Sequence, residues 1–197
     1  MKWFKLDTSV IEALARSIPC TTSVRRSSGT FIRRRDRRRY RMKVAIITAS
    51  TAVYREKEEN QSGEVIRQMV EEADMEVVFM KALPNDRTVL STVFQRMADN
   101  HLADLILTTG GAGCAPEDCT PEATMDVVDR PIVGIPEGMR AHMLAMTKRT
   151  MLNRSAAGIR GDVLIVNLPG KAGAVKECLS YILPEVIHAV SVIKGEV

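Results

Sequence analysis

The chain has 197 residues, 45% of them apolar and 26% charged, which is typical of a soluble globular protein with one domain and an attached tail. No apolar run approaches the roughly 20 residues of a membrane-spanning helix, so we expect a cytoplasmic protein without membrane contact. The net charge of +4 would suit nucleic acid, but residues 1–41 carry a net +9 and residues 42–197 a net −5. We therefore do not expect nucleic acid as the partner of the acidic part.

Residues 1–41 contain the arginine-rich run Arg33–Arg41, which Asp36 interrupts. A run of like charges repels itself and gives the segment no reason to fold. We therefore predict a basic, disordered N-terminal extension over residues 1–41 and a folded domain over residues 42–197. Three further interpretations stay open: an arm that binds RNA or phosphate, an Arg-rich targeting peptide, or sequence upstream of a true start at Met42.

From Met42 onward, short apolar stretches alternate with stretches of helical periodicity. The predicted strands are Lys43–Ser50, Met75–Leu83, Asp104–Thr109, Ile132–Ile135 and Asp162–Leu168. The predicted helices are Ser62–Ala73, Arg87–Ala98, Pro121–Val128, Gly138–Thr147, Ala172–Ile182 and Pro184–Ile193. This alternation indicates an α/β three-layer sandwich, in which helices cover both faces of a mainly parallel sheet and the strand-to-helix loops lie at one edge.

The segment Thr108–Asp118 is the first candidate ligand loop, because it joins an apolar strand to a helix. Thr120 is predicted as the N-cap of that helix and Pro121 as its first residue. The three glycines of the loop can bring backbone N–H groups close to an anionic ligand. Asp118 lies just before the helix, where its carboxylate can cap the backbone or point into the cleft.

A second glycine-rich segment, Asn153–Gly161, precedes the last predicted strand, and Leu168–Lys171 follows that strand. Arg154, Arg160 and Lys171 are cations suited to a phosphate group. The Pro-Gly pair after the strand can end it and present backbone N–H groups to a ligand. Each piece alone is typical of a surface turn, but two glycine-rich loops at strand ends together predict a binding site.

The four cysteines form no CxxC pair and have no histidine at metal-ligand spacing. They are Cys20, Cys114, Cys119 and Cys178. We expect free thiols in a reducing compartment and assign none of them as a nucleophile.

At these two loops the sequence resembles a known family. TTGGAGCAPEDCTPEAT, residues 108–124, is similar to the family pattern TTGGTGxxxRDxTPEAT. NRSAAGIRGDVLIVNLPGK, residues 153–171, is similar to SRSxAGIRGxxLIxNLPGx. Both patterns belong to the molybdopterin adenylyltransferases, the MogA/MoaB family, which includes the G domain of gephyrin. The likeness covers about residues 42–197.

The resemblance implies a molybdopterin-binding α/β fold that assembles as a trimer or hexamer and acts in molybdenum cofactor biosynthesis. The implied activity is the transfer of AMP from Mg-ATP to the terminal phosphate of molybdopterin, with release of pyrophosphate. Molybdopterin is then a substrate, Mg²⁺ arrives with ATP, and a protein that inserts molybdate is a possible partner.

The resemblance also carries over site residues, position by position. The catalytic candidates are Asp118, Asn85 and Asp86, and no protein ligand of the metal is assigned. The substrate-binding candidates are Thr109, Gly110, Gly111, Gly113, Asn153, Arg154, Ser155, Gly158, Arg160, Pro169, Gly170 and Lys171.

Four positions depart from the family patterns. Ala112 replaces Thr, Glu117 replaces Arg, and Asn153 replaces Ser. In Leu83–Asp86, which resembles VPDE or VPDD, Asn85 takes the place of the functional acid. An Asn can bind a cation through its carbonyl but brings no charge, and the neighbouring Asp is also suited to cap the next helix.

Three hypotheses about function stay open. The first is an active molybdopterin adenylyltransferase, and the second is a non-catalytic molybdopterin-binding or carrier paralogue. The third is an RNA-associated protein that acts through the arginine run.

Overall fold

A computed structural model of the chain describes residues 41–196, so the extension predicted over residues 1–41 lies, apart from Arg41, outside the described residues. The strands are β1 (Lys43–Ala49), β2 (Glu76–Leu83), β3 (Leu105–Thr109), β4 (Arg130–Pro131), β5 (Ala157–Arg160) and β6 (Val163–Leu168). The helices are α1 (Thr51–Tyr54), α2 (Gln61–Glu72), α3 (Arg87–Asp99), α4 (Thr120–Met125), α5 (Gly134–Leu144) and α6 (Ala172–Ile193), with a 3₁₀ helix at Lys148–Leu152.

The strands form one sheet in the order β2-β1-β3-β6-β5-β4. Strands β2, β1, β3 and β6 are parallel, whereas β5 runs antiparallel to β6 and to β4. Thr48 pairs with Thr109, and Thr109 pairs with Leu168, so three central strands end at one level. The predicted α/β sandwich with a mainly parallel sheet is confirmed, and the loops after β1, β3 and β6 start side by side.

Both faces of the sheet are buried, as expected for central parallel strands rich in Val, Ile and Leu. On one face, α2, α5 and α6 pack against alternate strand residues such as Val44, Ile46 and Leu164. The period-2 alternation turns Ala45 and Ile47 to the other face. Buried residues of α3 there are Val89, Leu90, Val93, Phe94 and Met97. The layers hold the strand ends in fixed register.

Several predicted elements differ from the structure, and one is the helix predicted at Gly138–Thr147, which is α5 and starts four residues earlier. The strand predicted at Ile132–Ile135 is wrong, because β4 is Arg130–Pro131 and α5 starts at Gly134. The two helices predicted on either side of Pro184 are one helix, α6. The buried face of this helix continues past the proline, and packing there outweighs the lost backbone hydrogen bond.

Strand β5 was not predicted, because its four residues carry no apolar alternation and lie in the segment assigned to a ligand loop. Its pairing with β6 supplies the partner that local sequence does not show. The predicted N-cap Thr120 is also displaced by one residue. Cys119 occupies the N-cap position without a side-chain cap, and the hydroxyl of Thr120 donates to the carbonyl oxygen of Gly110 at 3.0 Å.

The fully buried Asn167 ties the site loops to the sheet. Its Nδ2 donates to the hydroxyls of Thr108 at 2.9 Å and Thr124 at 2.8 Å, and its Oδ1 accepts from the backbone N–H of Ala156 at 3.2 Å. The amide therefore connects β6 with β3, with α4 and with the start of β5. Its hydroxyl partners are fully buried as well, so the network is costly to break.

Replacing Asn167 by Ala should lower the free energy of unfolding by about 1–3 kcal/mol, because it leaves the buried hydroxyls of Thr108 and Thr124 without this hydrogen-bond partner. The measurement is equilibrium unfolding in urea. Gln68→Ala, which removes an exposed amide bonded to Glu72, is the matched control and should change stability by less than about 0.5 kcal/mol. Equal effects for the two variants would contradict the buried network.

Candidate functional site

The two predicted glycine loops meet at the carboxyl edge of the sheet. A Cβ added to Gly170 would lie 3.3 Å from the Cα of Gly110, so the two backbones approach each other directly. The hydroxyl of Thr109 donates to the carbonyl oxygen of Pro169 at 2.7 Å. Thr109 is fully buried, so its hydroxyl holds the loops together and is not exposed to a ligand.

Gly110 and Gly111 shape the first loop because they adopt φ values of +86° and +61°. Side chains rarely adopt this left-handed backbone. A Cβ on Gly110 would also overlap the carbonyl oxygen of Ala49, and a Cβ on Gly111 would overlap the hydroxyl of Thr120. Glycine is therefore needed at both positions.

Two cavities flank the contact between the loops. Cavity I, of about 480 Å³, is lined by residues that include Glu58, Glu59, Asn85, Gly110, Gly111 and Lys171. Cavity II, of about 310 Å³, is lined by residues that include Gly113, Cys114, Arg149, Leu152, Asn153 and Lys171. Gly170 and Lys171 line both, so the second loop separates the two cavities. Volumes of this size suit small-molecule ligands.

Helix α6 starts at this edge. Lys171 is its N-cap residue and makes no side-chain cap hydrogen bond. The first backbone N–H groups of a helix lack partners within the helix, and they favour anions together with the helix dipole. Ala172, the first residue of α6, lines cavity I. The edge therefore combines backbone donors with the ammonium group of Lys171.

Asn85, one of the predicted catalytic residues, lines cavity I. Its backbone N–H donates to the hydroxyl of Thr51 at 3.1 Å. Its side-chain Oδ1 is buried and has no hydrogen-bond partner. Since buried acceptors are normally satisfied, this oxygen is a candidate ligand for a donor or a cation.

The structure places the other two catalytic candidates against the backbone. Oδ1 of Asp86 accepts from the N–H groups of Thr88 at 2.9 Å and Val89 at 3.0 Å and so caps α3. Oδ2 of Asp118 accepts from the N–H of Ala115 at 3.1 Å and closes a turn of the first loop. Neither carboxylate is among the residues that line cavity I or II.

Arg154 braces the first loop and does not line either cavity. Its Nε donates to the carbonyl oxygen of Gly113 at 2.5 Å, and its Nη2 donates to that of Asp118 at 2.8 Å. Its Nη1 pairs with the carboxylate of Glu122. Arg154, predicted to bind phosphate, thus joins the two glycine-rich segments in this structure.

Arg160 lies at the opposite edge of the sheet from the two glycine loops, and not beside the loop in which the sequence analysis placed it. It pairs with Val163 at the amino end of β6. Its guanidinium binds the carboxylate of Asp99 at 2.8 and 3.0 Å and the carbonyl oxygen of Val127 at 2.8 Å. The hydrogen bonds from Arg160 lower the pKa of Asp99. An antiparallel β5 carries this residue away from the site.

Two more substrate-binding candidates lie away from both cavities. Gly158 pairs with Ile165 inside the sheet, where a Cβ would lie 2.9 Å from the carbonyl oxygen of Arg130. Ser155 is buried, and its Oγ has no partner. It lines a separate cavity of about 160 Å³ beside Val133. The sequence analysis placed both residues in a ligand loop because it did not predict strand β5, which contains Gly158 and follows Ser155.

Sequence reasoning missed Glu58, Glu59 and Arg149, which line the cavities. The two glutamates follow α1 in the segment after β1, and that segment leaves the same sheet edge as the glycine loops. The predicted parallel topology could have indicated them. No signal in the sequence marked Arg149, which lies in the 3₁₀ helix.

Cys119, next to the first glycine loop, is unsuited to nucleophilic catalysis. Burial raises the pKa of the Cys119 thiol to about 11, and the nearby carboxylate of Asp86 adds to the effect. A thiol with that pKa stays protonated at neutral pH. Within residues 41–196, no three His, Cys, Asp or Glu side chains are grouped so that they could hold a metal. No helix in the same range could cross a membrane.

The fold and the carboxyl edge of the sheet together define the class of the protein. It is an α/β sandwich in which two glycine loops meet between two cavities. The family described as "Probable molybdopterin binding domain" matches residues 45–188. The chain belongs to this family, which acts in molybdenum cofactor biosynthesis, and the resemblance stated above is confirmed.

Relatives and solved structures agree with this assignment. The molybdopterin adenylyltransferase of Helicobacter pylori is 32% identical over 154 residues, which cover 77% of this chain and 88% of the relative. The molybdopterin biosynthesis enzyme MoaB of Thermus thermophilus has a TM-score of 0.74 at 37% identity, covering 78% of this chain and 97% of that one. The tungsten cofactor synthesizing protein MoaB of Pyrococcus furiosus has a TM-score of 0.68 at 32% identity, covering 77% and 96%.

The cap formed by Asp86 predicts different results for two substitutions. Asp86→Ala should lower the free energy of unfolding by about 1 kcal/mol, because α3 loses its N-cap. Asp86→Asn keeps a capping oxygen and should stay within a few tenths of a kcal/mol of the parent protein. Thermal and urea unfolding measure both. If Asp86→Asn were as destabilised as Asp86→Ala, the capping role would be refuted.

Proposed function

We propose that this protein transfers AMP from ATP to the terminal phosphate of molybdopterin and releases pyrophosphate. One observation carries the proposal: two glycine loops meet at the sheet edge, between two cavities that share Lys171. Two polyanionic substrates held side by side need backbone donors and a common cation, and this edge offers both.

In the proposed reaction, an oxygen of the molybdopterin phosphate attacks the α-phosphorus of ATP. The new P–O bond forms while the bond from the α-phosphorus to the bridging oxygen breaks, and that oxygen leaves with pyrophosphate. Lys171 borders both cavities, so its ammonium can contact the α-phosphate while negative charge builds there. The first-turn N–H groups of α6 add donors at the same edge.

We assign the nucleotide to cavity I and molybdopterin to cavity II. Cavity I contains Glu58 and Glu59, which repel a bare polyphosphate and suit one that carries a metal. Cavity II contains Ala112, Leu152 and Pro169, and these apolar groups suit the flat pterin ring.

The residues of cavity I fit a magnesium ion that arrives with ATP. Oδ1 of Asn85 is buried without a partner, and Glu58 and Glu59 line the same cavity. Mg²⁺ is usually bound through one or two carboxylates, with substrate phosphates and water as its other ligands. When bound, the ion would neutralise charge on the phosphates, and Asn85, Glu58 and Glu59 would hold it.

A carrier that binds molybdopterin without transferring AMP is the second candidate, and specific contacts favour it. The carboxylates of Asp86 and Asp118 each accept a hydrogen bond from a backbone N–H group of the protein. At position 85 an uncharged amide replaces an acid. A site of this kind could hold the pterin while lacking the charge that a metal-assisted transfer needs.

The deciding experiment is a pyrophosphate-release assay on the full chain with molybdopterin and Mg-ATP. The proposed transferase releases about one pyrophosphate per molybdopterin consumed, and mass spectrometry detects the adenylylated pterin. Tight molybdopterin binding without pyrophosphate release would favour the carrier. Absence of molybdopterin binding would reject both.

Asn85→Asp tests whether the missing acid limits the reaction. The change restores a negative charge beside the cation, so we expect turnover with Mg-ATP to rise, by about tenfold if the charge recovers about 1.4 kcal/mol of the barrier. The measurement is the rate of pyrophosphate release, with molybdopterin affinity as the control. A lower or equal rate would mean that Glu58 and Glu59 already supply the charge.

We propose a cytoplasmic location and self-association as a trimer or hexamer, with the product passing to a protein that inserts molybdate. Cys114, Cys119 and Cys178 are free thiols, which suits a reducing compartment. The surface proposed for self-association is the apolar groove lined by Ile132, Ile135 and Tyr181, of which Tyr181 is 51% exposed. Exposed apolar groups of this size indicate an interface.

Tyr181→Asp should shift the protein to smaller species, because it puts a charge beside a 440 Å³ cavity that Ile132 and Ile135 also line. Light scattering coupled to size-exclusion chromatography measures the mass. Val78→Asp, on the edge strand β2, is the control and should keep the parental mass. A monomeric parent protein would reject the proposed assembly.

A further inference from the structure

Two of the three cations that the sequence singled out for phosphate are bound by the protein itself. The guanidinium of Arg154 contacts the carbonyls of Gly113 and Asp118 and the carboxylate of Glu122. Arg160 pairs with Asp99 at the far edge. Lys171 remains at the site, but a doubly charged phosphate in cavity II calls for more than one cation.

Arg149 meets this need, because it lines cavity II together with Lys171. The other lining residues of this cavity are uncharged, so both charged side chains there are cations. No carboxylate within residues 41–196 pairs with Arg149 or Lys171. Cavity II is thus a small, partly apolar space whose charged lining residues, within the described part of the chain, are two cations.

The backbone that carries Arg149 is held against the first glycine loop. At the start of the 3₁₀ helix, the N–H of Arg149 donates to the hydroxyl of Thr147 at 3.3 Å. At its end, Cys114 donates its thiol hydrogen to the carbonyl oxygen of Leu152 at 3.4 Å. The N–H of Arg154 donates to the carbonyl oxygen of Ala112 at 2.9 Å. The last two hydrogen bonds join the segment that carries Arg149 to the first glycine loop, and the first holds the start of the 3₁₀ helix in place.

We propose that Arg149 binds the phosphate of the ligand in cavity II, opposite Lys171, and so takes the part that the sequence motif suggested for Arg154. A guanidinium offers two parallel N–H donors to a phosphate, which an ammonium cannot do. The inference rests on the proposed function in naming molybdopterin as the ligand. The anion site itself rests on the two cations and the cavity.

The test compares the full chain with Arg149→Ala, Arg149→Lys and Lys148→Ala. Lys148 is an exposed neighbouring cation that is not among the residues lining cavity I or II, so its variant controls for general charge. Dissociation constants are measured for molybdopterin by fluorescence and for inorganic phosphate by ³¹P NMR titration, each at two salt concentrations. Circular dichroism and the melting temperature check that each variant is folded.

Arg149→Ala should bind both ligands about 10- to 100-fold more weakly, which is the range for one charge-assisted hydrogen-bonding group. Arg149→Lys should be intermediate, because it keeps the charge and loses the two-pronged geometry. Lys148→Ala should bind like the parent protein.

Parental affinity of Arg149→Ala for both ligands would overturn the inference, and so would equal losses in Arg149→Ala and Lys148→Ala. If the parent binds phosphate through Arg149 but does not bind molybdopterin, the anion site stands and the proposed function fails. If the parent binds neither ligand, both fail.

Discussion

The direct approach of two backbones at the sheet edge is the constraint on which the site depends. Strands β3 and β6 are neighbours in parallel register, so the loops that follow them start at the same level. The loops then touch at Gly110 and Gly170, where a Cβ on Gly170 would lie 3.3 Å from the Cα of Gly110. Thr109 and Asn167 fix this contact from below through buried hydrogen bonds. The two cavities exist because the loops meet between them.

The distribution of charge follows from this geometry. The folded part is acidic overall, and several of its arginines are used as internal clamps. Arg154 holds the first loop closed, Arg160 fastens β5 to the end of α3, and Arg87 binds Asp126 at the end of α4. Cations that face the cavities, such as Lys171, stand out against this background. The anion binding that we propose therefore depends on where a few positive groups point and not on net charge.

The sequence predicted the fold well because the apolar residues of its strands and helices recur with a clear period. The buried strands of the sheet centre and the helices Arg87–Asp99 and Gln61–Glu72 were found within one or two residues. The strand-to-helix loops also lie at one edge of the sheet, as predicted, because parallel topology forces them to one side. The N-terminal extension and the roles of the site residues stay predictions.

What the sequence could not give depended on pairing between distant segments. Strand β5 has no period of its own and forms because β6 and β4 supply hydrogen bonds on either side. Missing it placed Arg160 and Gly158 in a ligand loop. The motif likewise identified Arg154 as a candidate phosphate ligand. It could not show that Glu122 and two carbonyl oxygens already bind this side chain. A pattern of residue types does not say which partner each residue has.

The position of Lys171 between both cavities couples whatever anions occupy them. Lys171 alone carries one positive charge and cannot neutralise anions in both cavities, and two unit negative charges about 5 Å apart at an effective dielectric constant of about 20 repel by about 3 kcal/mol. Filling one cavity therefore disfavours the second occupant unless that molecule brings its own counterion. Because such a coupling is reciprocal, an anion in either cavity lowers the affinity of the other cavity by the same factor, whichever binds first.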